Sequence, residues 1–365
     1  MKTHRPTLVV LFGGRSAEHS VSCVTAAQVL QAIDHTKYTV LPIGITKTGV
    51  WKHLTDYHHF SFSGDTLPEV TDSPGSPSVL PPVAPTGEPL REITAEGVVR
   101  ELGTPDVYFP LLHGTNGEDG TVQGICALAD VPCVGSGVFA SAACMDKHFM
   151  KVILHAAGIP VVAWQTVTTH EYAANTAETL EKIASHGFPA FIKPARAGSS
   201  MGISRVTDSD SVQAGLEKAF AVDTKVIVEP QVHGREIECG VLGNPACGIS
   251  TSSLGEIIVD ASYDFYDFTA KYLDSAAVHL SCPAEVDEAM QEKVRDIARR
   301  TFLALDCADL ARVDMFVTDN GEVLVNEVNT MPGFTPSSMF PRVWQASGIG
   351  YAELVDRLIE LALNG

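Results

Sequence analysis

The sequence predicts a protein of mixed class, with an α/β region at its start and an α+β region in the rest of the chain. Apolar runs alternate with helix-like stretches up to about residue 140, a pattern typical of a parallel sheet covered by helices on both faces. Beyond that point, the apolar runs 310–317 and 322–328 are joined by a tight turn at Asp319-Asn320-Gly321, which favours antiparallel pairing. With 365 residues, 45% of them hydrophobic and 19% charged, the chain is long enough for two or three domains of an ordinary soluble protein.

The local patterns place the elements in order along the chain. The first apolar run, 8–12, is a strand that a Gly-rich turn connects to a helix over 22–33. Residues 54–96 are rich in Pro, Gly, Ser and Thr, which predicts a surface insertion with short strands. The remaining predicted strands are 38–45, 107–112, 131–134, 161–167, 189–193, 226–229, 236–242, 310–317 and 322–328. The remaining predicted helices are 147–157, 287–304 and 351–363.

The overall charge and the cysteines narrow the classes of partner and compartment. A formal net charge of −19 disfavours a nucleic-acid or acidic-membrane partner, because there is no basic surplus to neutralise phosphates. No apolar run approaches the ~18 residues of a membrane span, and the run at 8–12 is too short for a signal-peptide core. The eight cysteines are scattered without a CxxC pair, so we expect neither a zinc site nor a disulfide framework, and a reducing cytoplasm is the expected setting.

The most informative segment is the pair of apolar runs that carries Asp314, Glu327 and Asn329. Strand side chains alternate, so Glu327 and Asn329 share a face about 7 Å apart, and Asp314 on the paired strand can meet them. Acidic residues beside a hairpin are usually solvated, but here they interrupt strands of core-forming residues, where an unpaired charge is costly. Three oxygen donors without Cys or His suit Mg²⁺, so the pattern favours a metal–nucleotide site.

A second segment has the composition of a phosphate-binding loop. A strand ends in Lys193, and a loop with two Gly and two Ser follows over 196–202. Glycines let backbone N–H groups approach an anion, and a lysine supplies a point charge for phosphate. The GxxxxGK[ST] motif is absent, and the alternative interpretation is a surface turn. Lys147, which begins a predicted helix, is a second candidate phosphate ligand, with a solvated helix position as its alternative.

Three further segments add candidate ligand contacts. The strand that ends at Glu229 breaks into a loop before Glu236, which offers backbone groups to an adenine edge and a carboxylate to ribose hydroxyls. Glu18, at a strand-to-helix turn, is placed to contact an ammonium group or to stabilise the first turn of a helix. His113 lies in a Gly-rich loop after a strand, where open α/β sheets bind ligands, and its alternative role is a structural hydrogen bond.

The segment 264–273 combines aromatic and polar residues without a clean periodicity. This composition suits a lid loop that closes on a ligand, and the alternative is a packed aromatic segment of the core.

Eight segments, taken in order, resemble the bacterial D-alanine–D-alanine ligase family, whose members have the ATP-grasp fold. They are FGGRSAEHSVS, LHGTNGEDGTVQG, MDK, FIKPARAGSSMGIS, EIECGVL, FYDFTAKYLD, LARVDMF and NEVNTMPGFTPSSM. The resemblance covers nearly the whole chain outside 54–96. It implies an N-terminal Rossmann-like parallel-sheet domain over 1–140, a central lid domain over 141–240, and a C-terminal domain over 241–365 that holds the metal site and a mobile loop over 255–283.

The resemblance also implies a role for each matching residue. The implied ATP-binding residues are Lys147, Lys193, Ser200, Glu229, Glu236 and Lys271. The implied catalytic residues are Glu18, Ser199, Tyr272, Arg312 and Gly333, of which the first three would form a hydrogen-bonded set that links the N-terminal domain to the lid. The same five, together with His113 and Ser338, are the implied substrate-binding residues. The implied metal ligands are Asp314, Glu327 and Asn329, which would hold two Mg²⁺ (or Mn²⁺) ions.

The function that the resemblance implies is the ATP-dependent joining of two D-alanine molecules for peptidoglycan precursors, through a D-alanyl phosphate. Cell-wall biogenesis and cell shape would depend on this product. The expected partners are D-alanine and ATP, without nucleic acid or membrane, and the expected assembly is a homodimer. The alternatives are another ATP-grasp carboxylate–amine ligase, including D-alanine–D-serine and D-alanine–D-lactate variants, and a non-catalytic nucleotide-binding protein.

Overall fold

A computed structural model describes residues 5–58, 60–61, 67–259 and 278–365. In chain order the strands are β1 (Thr7–Gly13), β2 (Thr39–Ile45), β3 (Trp51–His53), β4 (Ser78–Leu80), β5 (Leu90–Ile93), β6 (Val99–Gly103), β7 (Val107–Pro110), β8 (Gln165–Thr168), β9 (Ala190–Pro194), β10 (Ser204–Val206), β11 (Lys225–Pro230), β12 (Gly234–Asn244), β13 (Gly248–Val259), β14 (Val278–Ser281), β15 (Asp309–Thr318) and β16 (Val323–Asn329). The helices are α1 (His19–Ala32), α2 (Thr121–Ala129), α3 (Val138–Met145), α4 (Lys147–Ala156), α5 (Thr169–Ala174), α6 (Thr176–Ala184), α7 (Ser209–Phe220), α8 (Glu288–Ala304), α9 (Met339–Ala346) and α10 (Tyr351–Asn364).

The first sheet has the order β3-β2-β1-β7. Its central strand β1 pairs in parallel with β2 and with β7, and β3 adds an antiparallel edge. Alternate residues of β1 belong to two different cores, Leu8 and Val10 to one and Val9 and Leu11 to the other. Burial on both faces explains why β1 is a continuous apolar run, and it confirms the predicted α/β start of the chain.

Two antiparallel sheets follow. The four-stranded sheet has the order β10-β9-β11-β8, and the five-stranded sheet has the order β14-β13-β12-β15-β16. On β9 the buried side chains of Ala190 and Ile192 alternate with the partly exposed side chains of Phe191 and Lys193. The sheet therefore turns its apolar residues to its own core and leaves Lys193 on the opposite face.

The range 54–96 is only partly a surface insertion. Strands β4 and β5 are the short strands expected in this range, and they form a small antiparallel sheet with β6, which follows it. Phe60 and Val70, however, pack into the same core as α1, and the Val70 N–H donates to His19 Nε2 at 2.9 Å. The segment thus also stabilises the start of α1.

One predicted strand is absent from the described residues, and two predicted domain boundaries fall inside elements of the structure. The predicted strand 131–134 is wrong, because Cys133 forms only an isolated bridge with Tyr108. The predicted domain boundary at 140 falls inside α3, and the one at 240 falls inside β12. The three-domain division stays a prediction, although each of the three main sheets lies largely within one of the predicted ranges. Within the described ranges, none of the helices combines the length and the apolar character that crossing a bilayer requires.

Candidate active site

A cavity of about 290 Å³ lies between the four-stranded and the five-stranded antiparallel sheets. It brings together residues that the sequence places far apart, on β9, β11, β12, β15, β16 and the start of α4. The predicted site residues that line it are Lys147, Lys193, Ser199, Ser200, Glu229, Glu236, Arg312, Asp314 and Glu327. Asn329 lines a smaller cavity beside it, together with Lys147 and Glu327.

The predicted metal ligands lie on β15 and β16, which pair in antiparallel fashion with Asp314 opposite Glu327 and Arg312 opposite Asn329. Arg312 donates from Nε and Nη2 to the two carboxylate oxygens of Asp314, both at 2.7 Å, and Asn329 Nδ2 donates to Asp314 Oδ2 at 2.9 Å. Two carboxylates on directly opposite residues repel each other unless cations neutralise them.

This arrangement fits divalent cations. In the described part of the chain, no three His, Cys, Asp or Glu side chains form a metal cluster, and the predicted set combines two carboxylates with an amide. Such hard oxygen donors, few in number and beside an open cavity, match what Mg²⁺ takes from a protein when phosphates complete its shell. The assignment of Asp314, Glu327 and Asn329 as metal ligands stays a prediction.

Arg312 is held by two acidic residues. Besides Asp314, its Nη2 lies 3.2 Å from Glu238 Oε1 on the neighbouring strand β12. Burial opposes the charge of Arg312, but Asp314 and Glu238 outweigh it and raise the pKa of the guanidinium. The cation is therefore permanent and fixed in orientation, as an oxyanion-stabilising group requires.

The opposite wall of the cavity carries lysines. Lys193 Nζ lies 2.6 Å from Glu229 Oε2 and 3.3 Å from Asn326 Oδ1. Lys147 Nζ donates to the Ala197 carbonyl at 2.8 Å and lies 3.7 Å from Glu327. Lys147 thus contacts the loop 196–202 that composition predicts to bind phosphate, and Lys193 lines the same cavity as that loop.

Glu229 has a different environment from the one that an adenine contact suggests. Its side chain is 2% exposed, and its two oxygens each lie 2.6 Å from a lysine, Lys151 on one side and Lys193 on the other. Burial would raise the pKa of Glu229, but the two lysines lower it. The carboxylate of Glu229 therefore holds two lysine side chains in place. The predicted adenine contact stays a prediction, and it concerns the main chain near Pro230 and Val232, which line the cavity.

Glu18 and Ser199 connect the parallel-sheet region to the phosphate loop. Ser199 Oγ donates to Glu18 Oε1, although 181 residues separate the two. Ser199 and Ser200 have φ angles of 49° and 56°, the left-handed region that non-glycine residues rarely occupy. Such backbone strain is typical of ligand-binding turns. Tyr272, the third member of the predicted set, and Lys271 lie outside the described residues.

The loop that contains His113 and Glu118 faces Glu18. Glu118 Oε2 accepts from the Gly114 N–H at 2.7 Å, and Oε1 accepts from the Met331 N–H at 3.3 Å. Burial, and secondarily the charge of Glu18, raises the pKa of Glu118 to about 8. Sequence reasoning did not single out Glu118, although it belongs to the LHGTNGEDGTVQG segment.

His113 is 4% exposed, and both of its ring nitrogens have protein partners: Nδ1 lies 3.1 Å from the Met331 carbonyl and Nε2 lies 3.4 Å from Thr25 Oγ1. Burial lowers its pKa, so the ring is neutral at neutral pH. These contacts match the structural alternative for His113, and its substrate role stays a prediction.

Gly333 and Ser338 lie side by side. A Cβ atom at Gly333 would come within 3.2 Å of Ser338 Oγ, which also accepts from the Thr335 N–H at 3.2 Å. Ser338 is the N-cap of α9. Because a helix N-terminus favours anions, the carboxylate-binding role predicted for Ser338 is consistent with its position.

The predicted mobile range 255–283 extends from β13 to just beyond β14. Its two ends pair with each other, with Glu256 opposite Ser281. The predicted lid segment 264–273 lies outside the described residues, so its mobility stays a prediction.

Comparison with known proteins identifies the family. Family models for the N-terminus and the C-terminus of D-Ala–D-Ala ligases match residues 7–136 and 153–360, and the second alone covers more than half of the chain. The chain belongs to the D-alanine–D-alanine ligase family. The curated D-alanine–D-alanine ligase of Arthrobacter sp. (strain FB24) is 49% identical over 365 residues, which cover 99% of this chain and 94% of that protein.

Solved structures of the same family share the fold. A D-Ala:D-Ser ligase from Enterococcus faecalis is 35% identical, with a TM-score of 0.84 over 98% of this chain and 100% of that one. The D-alanine–D-alanine ligase from Coxiella burnetii is 32% identical, with a TM-score of 0.82 over 99% of this chain and 94% of that one. The predicted fold class is therefore confirmed.

Proposed function

We propose that this member of the ligase family joins two D-alanine molecules to form D-alanyl-D-alanine, with conversion of ATP to ADP and phosphate. The observation that supports the proposal best is a cavity in which Lys193 of β9 and Lys147 of α4 lie with carboxylates of the five-stranded sheet, since a nucleoside triphosphate with its metal ions needs both. Family membership and the 49% identity to a curated D-alanine–D-alanine ligase supply the choice of substrate.

In the proposed binding mode, Lys147 and Lys193 hold the phosphates, and Ser200 with the loop backbone covers them. Asp314, Glu327 and Asn329 would hold two Mg²⁺ or Mn²⁺ ions, which when bound neutralise charge on the phosphates. Glu236, which also lines the cavity, would accept hydrogen bonds from the ribose. Phosphoryl transfer depends mainly on such positioning and charge neutralisation.

The first chemical step joins the carboxylate of one D-alanine to the γ-phosphorus of ATP. An oxygen of the carboxylate forms the new O–P bond as the bond to ADP breaks, which leaves D-alanyl phosphate. Glu18 would orient the ammonium group of this D-alanine, with Ser199 holding Glu18 in place through the hydrogen bond between them. Correct orientation of two reacting groups supplies a large part of such a rate enhancement.

In the second step, the amine of the other D-alanine attacks the acyl carbon. A tetrahedral intermediate forms and expels phosphate, which takes up the proton lost from nitrogen, so one C–N bond replaces one C–O bond. Arg312 and the Gly333 N–H would stabilise the oxyanion, and Ser338 would receive the carboxylate of the second D-alanine. Loss of one such donor typically lowers the rate by ~10²–10³.

The acyl phosphate is prone to hydrolysis, so water must be kept from the cavity while it exists. The segment 264–273, with Lys271 and Tyr272, is the proposed lid. Lys271 would meet the phosphates and Tyr272 would complete the set with Glu18 and Ser199.

The cellular setting is proposed on the same grounds. All eight thiols are free, which supports a reducing cytoplasm, where ATP is also available. The product would enter peptidoglycan precursors and so serve cell-wall biogenesis and cell shape. A homodimer is the proposed assembly.

A phosphate-release assay tests the proposal. Purified protein with Mg²⁺ and ATP should release phosphate when D-alanine is added and not with L-alanine, and mass spectrometry should find D-alanyl-D-alanine. Mixtures of D-alanine with D-serine or D-lactate test the variants of the family, and at neutral pH we expect the D-alanine dipeptide to predominate. Phosphate release without any D-alanine dependence would contradict the proposal.

A further inference from the structure

Lys151 is a fully buried lysine that neither the sequence motifs nor the proposed mechanism uses. Its side chain is 0% exposed, and its Nζ lies 2.6 Å from Glu229 Oε1 and donates to the Val162 carbonyl at 3.1 Å. A buried ammonium group is strongly unfavourable unless it is paired and hydrogen-bonded. Packing alone does not account for a lysine at this position, because an apolar side chain would fill the same space without the cost of desolvating an ammonium group.

The partner of Lys151 is the carboxylate that also holds Lys193. Glu229 bridges the two ammonium groups, at 2.6 Å from each. Lys193 lines the cavity, whereas Lys151 does not. Burial lowers the pKa of Lys151, and Glu229 acts in the opposite direction. Burial also opposes the charge of Lys193, but the carboxylates around it, Glu229 first among them, together outweigh burial and raise its pKa.

The net charge of the cluster formed by Lys151, Glu229 and Lys193 determines the electrostatic environment of a ligand in the cavity. Two lysines and one glutamate carry a net charge of +1; Lys193 and Glu229 line the cavity, whereas Lys151 lies behind them. Without Lys151, Glu229 would neutralise Lys193, and an incoming phosphate would have to compete with a buried carboxylate. Lys147 also has an anionic neighbour, because its Nζ lies 3.7 Å from Glu327. The charge of Glu327 would be neutralised by metal ions.

We propose that Lys151 is a positioning residue for nucleotide binding: it neutralises Glu229, so that Glu229 can fix Lys193 in place without cancelling the charge that Lys193 offers to the phosphates. The inference rests on the proposed function, because it takes the phosphates of ATP as the ligand of Lys193. The i, i+4 spacing of Lys147 and Lys151 on α4 puts both lysines on one face of the helix, and this spacing is the sequence signal that could have revealed the second one.

The test compares the binding of a nucleotide with phosphates and one without. For the Lys151→Met variant, we expect titration calorimetry with Mg²⁺ to show ADP binding weakened on the order of tenfold, because the cluster then carries no net charge. Adenosine, which has no phosphate, should bind within about twofold of the wild type. A purely structural role of Lys151 would instead weaken both ligands equally, and that result would overturn the inference.

The double variant Lys151→Met/Glu229→Gln restores a net charge of +1 and should recover most of the lost ADP affinity relative to adenosine. If Lys151→Met fails to fold, the double variant compared directly with the wild type decides: ADP affinity relative to adenosine within about threefold supports the inference, and a loss of tenfold or more overturns it. Unchanged ADP binding by Lys151→Met also overturns it.

Lys52→Met is the matched control. Lys52 is also buried, at 6% exposure, and its Nζ lies 2.6 Å from Asp72, but it belongs to β3 and lies outside the cavity. Its substitution should leave ADP binding unchanged. If the wild-type protein binds no ADP, the proposed function fails first, whereas ADP binding with normal affinity in Lys151→Met defeats only the role of Lys151.

Discussion

The two antiparallel sheets that face each other across the cavity carry opposite charges. The four-stranded sheet and the adjoining α4 contribute the lysines, Lys193 and Lys147, whereas the five-stranded sheet contributes carboxylates, among them Asp314 and Glu327. In each wall, one charge is backed by a residue of opposite sign: Glu229 holds Lys193, and Arg312 holds Asp314. The walls are thus built by the same principle with the signs reversed.

This difference explains why neither sheet would suffice alone. A wall of lysines would bind free phosphate anions without selecting a nucleotide loaded with metal. A wall of carboxylates would bind cations and repel phosphates. Together they match a phosphate chain that carries its own cations, which is the form of ATP that phosphoryl transfer uses. The following substitutions test the two walls separately.

The largest expected effect is on the acidic wall. Glu327→Gln keeps the size of the side chain and removes one of the proposed charged metal ligands. We expect kcat/KM to fall by on the order of 1000-fold, because a metal ion supplies several kcal/mol of charge stabilisation in such reactions. Phosphate release with varied ATP, at saturating D-alanine and Mg²⁺, measures this loss of kcat/KM for ATP.

The control for Glu327→Gln is Glu322→Gln, an exposed glutamate just before the same strand. It should retain wild-type activity, with both variants unfolding at the wild-type temperature. Wild-type Mg²⁺-dependent activity in Glu327→Gln would refute the metal assignment.

The basic wall should show the next largest effect. Lys193→Met removes the cation that Glu229 holds toward the cavity, and we expect kcat/KM for ATP to fall about 100-fold, mainly through a higher KM, as loss of a charge-assisted contact predicts. Steady-state kinetics with varied ATP measure it, and Lys182→Met, an exposed lysine on α6, is the control. An unchanged KM for ATP would exclude Lys193 from the phosphate site.

A smaller effect is expected where the parallel-sheet region joins the two walls. Ser199→Ala removes the hydrogen bond to Glu18, and we expect the KM for the first D-alanine to rise about tenfold while the KM for ATP changes little. Initial rates with varied D-alanine measure this split. Ser185→Ala, at the exposed end of α6, should behave as the wild type; equal rises in both KM values for Ser199→Ala would mean that the bond orders the whole loop instead.

The smallest effect on activity is expected for a carboxylate that shares β15 with Asp314 but lies outside the cavity. Asp309 is 4% exposed and accepts from the Gly135 N–H at 2.9 Å, and burial raises its pKa from 3.8 to about 6. The folded state binds the Asp309 proton more tightly than the unfolded state does. The contribution of this proton to the free energy of unfolding is therefore complete below pH 3.8 and is lost as the pH rises through 6.

Asp309→Asn removes this charge and keeps an acceptor for Gly135. We expect the variant to be more stable than the wild type at pH 8, by on the order of 1–3 kcal/mol, and nearly equal at pH 4. Urea unfolding at the two pH values checks this, with activity unchanged. If Asp309→Asn is instead less stable than the wild type at pH 8, the ionised carboxylate of Asp309 is needed for folding. Such a role would distinguish Asp309 from the carboxylates of the acidic wall.

The elements with strong local patterns were predictable from sequence. β1 is an uninterrupted apolar run, and α8 begins at an Asp287 cap whose side chain accepts from the Met290 N–H. Some helices were not predicted: α7, although Asp208 and Ser211 form a capping box at its start, and α9, which has Pro341 in its first turn. The error at 131–134 arose because a short apolar run resembles a strand whether or not a neighbour pairs with it.

The residues of the site were predictable because each belongs to a motif, and the contact between Glu18 and Ser199 was predictable only from the family resemblance, because no local pattern joins residues so far apart in the chain. Lys193 meets Asn326 across 133 residues, and Ser199 meets Glu18 across 181. Lys151 was not predicted because its i, i+4 spacing from Lys147 indicates a shared helix face but not that the side chain is buried and paired.

The sequence by itself determined the kinds of groups available: three oxygen donors on a hairpin, a lysine before a Gly- and Ser-rich loop, and a parallel sheet at the start. Only the tertiary structure decided that these groups face one another, that Glu229 bridges two lysines, and that Arg312 holds Asp314. The physical reason is range: strand and helix patterns arise from neighbours along the chain, whereas a charged cluster depends on how sheets pack after they form.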